Sequence, residues 1–413
     1  MNRTLVNRVG PPVTDLAFFG RDVELPLLMD RLLQGDHVSL VAQRRVGKTS
    51  LMREAQRRLS GERICLWVDL QSARDPADAI VELALATVEH QRLWSRVKVG
   101  FQHVLDAVET VGGDALAVKL RDSTALDWAA RGDRIFADLA AADQPVVLMI
   151  DELSILLVKL LRDADGHPRP GGREQAERLL GWLRKGALSA PGQITVVVTG
   201  SVGLEPIAHQ AGLSGTLNIY PPFHLPVWEP RVAQEALQAL AAAVELDLPT
   251  AAREMVVEKL GSCIPYHVQL YFQLLVEYAR RQSLVALTAH DVERVYVTRM
   301  LASHGHQELA HMEERLRMVL PPEWRPLAAD LLTEAAVKGS LTVSAARDLA
   351  RDLLPIGQRH DEVLRELFNL LEHDGYLERR ADGGRAFCSR LLRDWWRARH
   401  GEFYLPADQR GAR

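Results

Sequence analysis

A short apolar run, His37 to Ala42, opens into the loop Ala42-Gln43-Arg44-Arg45-Val46-Gly47-Lys48-Thr49-Ser50, and Lys48 to Leu59 then reads as a helix. That order of strand, tight basic loop and helix is how a parallel strand hands its chain to a covering helix. Apart from Ala42, the loop fits G-x-x-x-x-G-K-[ST], whose backbone N–H groups and following helix N-terminus cradle the phosphates of a nucleotide. In that pattern Lys48 supplies positive charge to the outer phosphates, and the Thr49 hydroxyl is a ligand for Mg2+. Ala42 stands where glycine is usual, at a turn whose conformation alanine is expected to reach only with strain.

The sheet that such a loop requires is legible in further apolar runs: Ile64 to Leu70, Val146 to Ile150 and Ile194 to Thr199. Each is apolar on both faces, as a sheet covered by helices on both sides demands. Between them Pro76 to Val88 and Arg173 to Leu188 read as helices, while Leu217 to Leu225 carries Pro221 and Pro222 and is restricted to an edge strand or a loop. The stretch 90–131, with Gly112 and Gly113, has no clean period and reads as an insertion or long connection, partly helical.

The run Val146 to Ile150 ends in Asp151-Glu152. A nucleotide site needs a carboxylate near Mg2+ and a base to activate water, and the pair is assigned to those two roles in that order. Lys48 and Glu152 are thus the central catalytic candidates. Thr199 and Ser201, in Thr199-Gly200-Ser201, either bond the outer phosphate or the attacking water, or simply satisfy the strand end.

Composition narrows the partners. With 47% apolar and 25% charged residues, the 413-residue chain supports several packed cores. Its 50 Lys+Arg against 54 Asp+Glu leave a formal charge of −4, so a nucleic-acid partner has to be argued from a local patch. Cys65, Cys263 and Cys388 are too scattered for a disulfide framework, which fits a reducing cytoplasm. No run of about eighteen apolar residues and no apolar leader is present, so neither export nor a membrane partner is expected.

From Glu229 to about Arg299 the pattern is helical throughout, with Thr288 and Asp291 spaced as a capped helix start. After Pro321 and Pro322 come helices at 326–337, 344–354 and 361–373, then two short strands, Tyr376 to Arg379 and Arg385 to Cys388, around Ala381-Asp382-Gly383-Gly384. Three helices and a hairpin are the winged-helix order. His304, His306 and His311 read as a solvated helix end, lacking the nearby Cys or paired acid of a metal site.

Together with Phe19-Gly20-Arg21-Asp22-Val23-Glu24-Leu25, the segments Arg44 to Leu51, Ile150-Asp151-Glu152 and Thr199-Gly200-Ser201 resemble the archaeal-type ATPase family within the STAND group of P-loop NTPases, relatives of AAA+ and origin-recognition ATPases. Gly261-Ser262-Cys263-Ile264-Pro265-Tyr266 is similar to the lid segment whose proline lies near the base, with a longer spacing from glycine to proline. The resemblance implies an α/β P-loop NTPase domain with a parallel sheet over 1–228, an all-α helical lid over 229–318 and a C-terminal winged-helix domain over 319–413. It implies ATP and Mg2+, with Gly20, Arg21 and Pro265 near the nucleotide, and an ATP-driven switch recognising a protein partner or another copy of itself. For Arg21 a surface ion pair with Asp22 or Glu24 is the competing expectation. No arginine lies between Val202 and Pro230, where ring-forming relatives place a finger, which favours slow turnover.

The alternative is an ATP-regulated DNA-binding protein. The third C-terminal helix is acidic, so that reading places DNA on Arg379, Arg380 and Arg385 in the wing, followed by Arg390, Arg393, Arg397 and Arg399. A nucleotide-binding scaffold without turnover, suggested by Ala42, is the third expectation. Trp395 and Trp396 are expected as core packing or as an exposed anchor.

Overall fold

The structure is a computed structural model that describes residues 5–101, 127–302, 306–355 and 359–410. The chain divides into two compact units, Val23–Val41 with Leu51–Leu225, and Met1–Asp22 with Ala42–Ser50 and Pro226–Arg413.

In the first of these, α1 (Glu24–Gln34) leads to β1 (Val38–Val41), from which the chain passes through α2 (Lys48–Leu59) to β2 (Ile64–Asp69). Then follow α3 (Pro76–Ala86), α4 (Gln91–Val97), α5 (Trp128–Ala140), β3 (Val146–Asp151), α6 (Leu153–Leu161), α7 (Gly172–Leu188), β4 (Ile194–Thr199), α8 (Leu204–Gln210) and β5 (Pro222–His224). All strand pairs are parallel, in the order β2-β3-β4-β1-β5. Every residue of β3 and of β4 is buried, which is why these strands read as unbroken apolar runs. Pro222 confines β5 to three residues on the sheet edge, where a missing N–H costs least.

The strand order has a functional consequence. The chain leaves β1 and crosses to β2 on the far side of β4 and β3, and a ligand crevice forms outside the carboxyl ends of parallel strands where the winding reverses. The carboxyl ends of β3 and β4 carry Asp151 and Thr199. Helix boundaries follow local chemistry: Pro76 occupies the first turn of α3, and Asp75 accepts the N–H of Asp78 at 2.9 Å. Within 90–131 the described residues form α4 and a 3-10 turn over Lys98–Phe101, and α5, which sequence reasoning did not assign, begins at Trp128. Gly112 and Gly113 lie outside the described residues.

The second unit contains α9 (Pro230–Ala243), α10 (Thr250–Leu260), α11 (Pro265–Gln282), α12 (Ala289–Val295), α13 (His306–Val319), α14 (Arg325–Lys338), α15 (Val343–Leu353), α16 (His360–His373), the hairpin β6 (Leu377–Arg379) with β7 (Arg385–Phe387), and α17 (Arg390–His400). Thr288 and Asp291 form the expected capping box at the start of α12. Trp395 and Trp396 on α17 are each 1% exposed, so both are core residues and neither is a surface anchor. The Trp396 indole N–H donates to Thr333 Oγ1 at 3.0 Å, which removes the cost of burying it. Among the described residues no helix is long and apolar enough to cross a membrane.

Candidate functional site

At the carboxyl edge of the sheet, Asp151 closes β3 and is 7% exposed. Its Oδ1 accepts the N–H of Glu152 at 3.0 Å. Glu152 then turns into the left-handed region, φ 59, ψ 29, before α6 begins. A side chain in that region is strained, and such strain concentrates at functional sites. The reversal directs the Glu152 carboxylate to the end of β4, where the N–H and the hydroxyl of Ser201 both donate to Oε2 at 2.8 Å. Gly200 makes the approach possible, because a Cβ there would lie 1.9 Å from Ser154 Oγ.

Ser201 thus engages Glu152 through both of its donors. Thr199 is 1% exposed and donates to the Leu40 carbonyl at 3.2 Å, the strand-end alternative.

The loop 42–50 belongs to the other unit. Arg45 at φ 64 and Gly47 at φ 103 are its left-handed residues. Ala42 does not adopt positive φ, so the expected strain at alanine is absent, and the turn that needs unusual backbone sits three to five residues later. Lys48 is 8% exposed, and its ammonium donates to the carbonyls of Ala42 at 2.7 Å and Gln43 at 3.1 Å, closing the loop on itself. Ser50 Oγ accepts the N–H of Val13 at 3.1 Å. Thr49 is half-buried in the first turn of α2.

Arg21 is buried, 5% exposed. Its guanidinium donates to the Val46 carbonyl at 2.9 Å and the Pro226 carbonyl at 2.8 Å, bracketing the loop against the start of the helical segment. Gly20, at φ 68, packs where a Cβ would meet Val232 at 2.5 Å. Pro265 is the buried first residue of α11. The next residue, Tyr266, lies under the Arg45 guanidinium, 4.5 Å from its ring centroid, a contact that sequence reasoning missed although it flagged both neighbourhoods. Gln43 lies against Gly375.

No family model and no curated protein matches the chain. Solved structures do. A Walker-type ATPase of Pyrococcus abyssi superposes with a TM-score of 0.65 at 20% identity, covering 94% of this chain and 99% of its own. The ORC2 protein of Aeropyrum pernix, in complexes with ADPNP and ADP, superposes with a TM-score of 0.56 at 14% identity over 97% and 98%. The fold is that of a P-loop α/β ATPase.

Several arginines of the C-terminal segment are committed to pairs within the chain. Arg385 pairs with Glu372 at 2.8 Å and stacks 3.5 Å from the Phe368 centroid. Arg390 pairs with Glu258, Arg393 with Asp394, and Arg399 with Glu313. Of the expected basic set, Arg379 and Arg380 in the wing and Arg397 on α17 are exposed and lie outside these pairs. Among the described residues no group of three or more His, Cys, Asp or Glu side chains is disposed to hold a metal ion; His304 lies outside the described residues.

Proposed function

We propose that the chain binds ATP with Mg2+ on the loop 42–50, hydrolyses it slowly, and uses nucleotide state as a STAND-type switch that rearranges a helical lid, 229–318, and a winged-helix segment, 319–413. The observation that carries this reading is the loop itself. Arg45 and Gly47 lie in the left-handed region within a strand-to-helix connection, the kind of backbone from which anion-binding nests are built, and the following helix adds the positive end of its dipole.

Each residue then has a task. The Lys48 ammonium exchanges two loop carbonyls for phosphate oxygens, a charge-assisted and stronger pairing. Thr49 and Asp151 offer a hydroxyl and a carboxylate, the hard oxygen donors that suit Mg2+, which when bound neutralises charge on the outer phosphates. Glu152 accepts the proton of the attacking water, and Ser201 orients its carboxylate. Pro265 and Gly20 shape the region of the base. A γ-phosphate biases the lid only through contacts made in one state and lost in the other, and in this reading that part falls to the Arg45–Tyr266 stack, which ties the loop to the first turn of α11. A protein partner or a second copy of the chain receives the rearrangement.

The test is ATP binding and turnover, with and without Mg2+, for wild type, Lys48→Ala and Glu152→Gln. Mg2+-dependent turnover in wild type, binding lost in Lys48→Ala, and binding retained without turnover in Glu152→Gln are the expected results. Wild-type protein that neither binds nor hydrolyses ATP sinks the reading.

A further inference from the structure

Phe403 is 92% exposed, the most exposed large apolar side chain among the described residues. A solitary apolar residue on a surface needs no explanation as a rule, but this one is presented on a fixed support. On one side, the N–H of Gly401 donates to the Arg397 carbonyl at 2.9 Å and ends α17. On the other, the Tyr404 hydroxyl donates to the Glu334 carboxylate at 2.8 Å, and the Ala407 N–H donates to the same oxygen at 3.0 Å. Glu334 on α14 is buried, and Arg410 pairs with Asp330 at 2.7 Å one turn earlier on that helix. The segment that carries Phe403 is thereby held against α14, while its ring is left in water.

The two residues before Phe403, Gly401 and Glu402, belong to the rim of a groove of about 620 Å3 between α10, the π-helical turn Tyr296–Met300, α14 and α17. Its apolar lining is Tyr296, Val297, Leu301, Val337 and Ala398, and Val297 is itself 60% exposed. Most charges in the groove are already satisfied. Lys259 pairs with Glu293, Arg390 pairs with Glu258, and Asp394 accepts the Tyr296 hydroxyl at 2.9 Å. Two are not: Arg397 and Glu402 are both exposed, and neither forms an ion pair among the described residues. They are equal and opposite, so the groove has no net preference for a small anion or a small cation. What it lacks is an apolar group to fill it and, at its rim, one partner of each sign.

A second copy of the same face supplies all three. An apolar knob beside an apolar groove is a patch that matches itself under a two-fold axis, the symmetry of most dimers. We propose that two copies of this chain associate through this face, Phe403 of each filling the groove of the other and Arg397 of each pairing with Glu402 of the other. The buried ring supplies most of the affinity, as aromatic anchors do. The rim pairs, weak in themselves, set the register and disfavour other orientations. Because the segment around Phe403 is already fixed to α14, little ordering remains to oppose association. The contact uses no residue of the loop 42–50 and does not rest on the nucleotide reading.

The experiment is analytical ultracentrifugation of the full chain without nucleotide, from about 1 to about 100 µM. The samples are wild type, Phe403→Ser, Arg397→Glu, Glu402→Arg and an equimolar mixture of the two charge variants. Wild type is expected to dimerise with rising concentration, and Phe403→Ser to dimerise at least about tenfold more weakly. Each charge reversal alone is expected to weaken the dimer, because it sets like charges against each other at both rims. The mixture is expected to regain it, since a heterodimer of Arg397→Glu with Glu402→Arg restores an opposite-sign pair at each rim. Recovery on mixing arises only from a contact between copies, never from a pair within one chain. Should Phe403→Ser fail to fold, the mixing experiment carries the test alone. Wild type that stays monomeric across the range overturns the proposal and leaves the groove to a different partner. A dimer as strong in Phe403→Ser as in wild type overturns it too, as does a mixture no more associated than its two components.

Discussion

Ser201 gives both its backbone N–H and its hydroxyl to one carboxylate oxygen of Glu152, at 2.8 Å each. The pair joins the turn after β3 to the turn after β4 and fixes the direction in which the proposed base points. Ser201→Ala removes the hydroxyl donor and leaves the N–H. The expected result is a fall in kcat of about tenfold with ATP affinity unchanged, against a loss of about a hundredfold or more in Glu152→Gln. Steady-state turnover with a parallel binding titration reads both, and an unchanged kcat in Ser201→Ala removes Ser201 from the orienting role.

Gly200 between them is a packing requirement. Gly200→Ala places a methyl group 1.9 Å from Ser154 Oγ and is expected to destabilise the protein by about 1–3 kcal/mol. Ser154→Gly in the same chain should recover most of that loss, since it removes the obstructing atoms. A double-mutant cycle in urea measures the coupling, and purely additive effects contradict the contact.

Arg21 brackets two backbone carbonyls from a buried position. Arg21→Ala leaves both acceptors without it, with an expected cost of about 2–4 kcal/mol in unfolding free energy and weaker ATP binding through a slack loop. Arg21→Lys should recover little, because one ammonium does not reproduce a fork. Full stability in Arg21→Lys would show that charge alone suffices.

His37 accepts the N–H of Val196 through Nδ1 at 3.1 Å, and burial holds its pKa below the ordinary 6.5, with Asp36 pulling weakly the other way. The folded state therefore binds the proton less readily than the unfolded state. Its stabilising contribution is present above the unfolded pKa and is lost as pH falls through the lower, folded one. Unfolding free energy should drop as pH falls below the ordinary 6.5, and the drop should be smaller in His37→Asn. His400, also lowered by burial, contributes with the same sign, so the difference between wild type and variant isolates His37.

Arg379 and Arg380 are the hairpin arginines left exposed. If the C-terminal segment contacted duplex DNA there, Arg379→Glu with Arg380→Glu would abolish a salt-dependent binding signal. The internal pairing of Arg385, Arg390, Arg393 and Arg399 leads instead to the expectation of no such signal in wild type, measured by fluorescence anisotropy at low salt.

The sequence by itself determined the elements whose causes are local. The apolar runs of β3 and β4, the span of α2, the edge position of Pro222 and the Thr288–Asp291 cap follow from periodicity, proline chemistry and side chains three residues apart. It also located the loop and the Asp151-Glu152 pair, because a motif is a local pattern. Tertiary structure alone decided what those groups touch. Whether Ser201 meets a phosphate or Glu152 depends on the left-handed turn at Glu152 and on β4 lying beside β3. Whether Arg21 is a surface ion or a buried bracket depends on the carbonyl of Pro226, more than two hundred residues away. Backbone conformation is chosen within a few residues, whereas desolvation and partner choice are set by whichever segments the folded chain brings together.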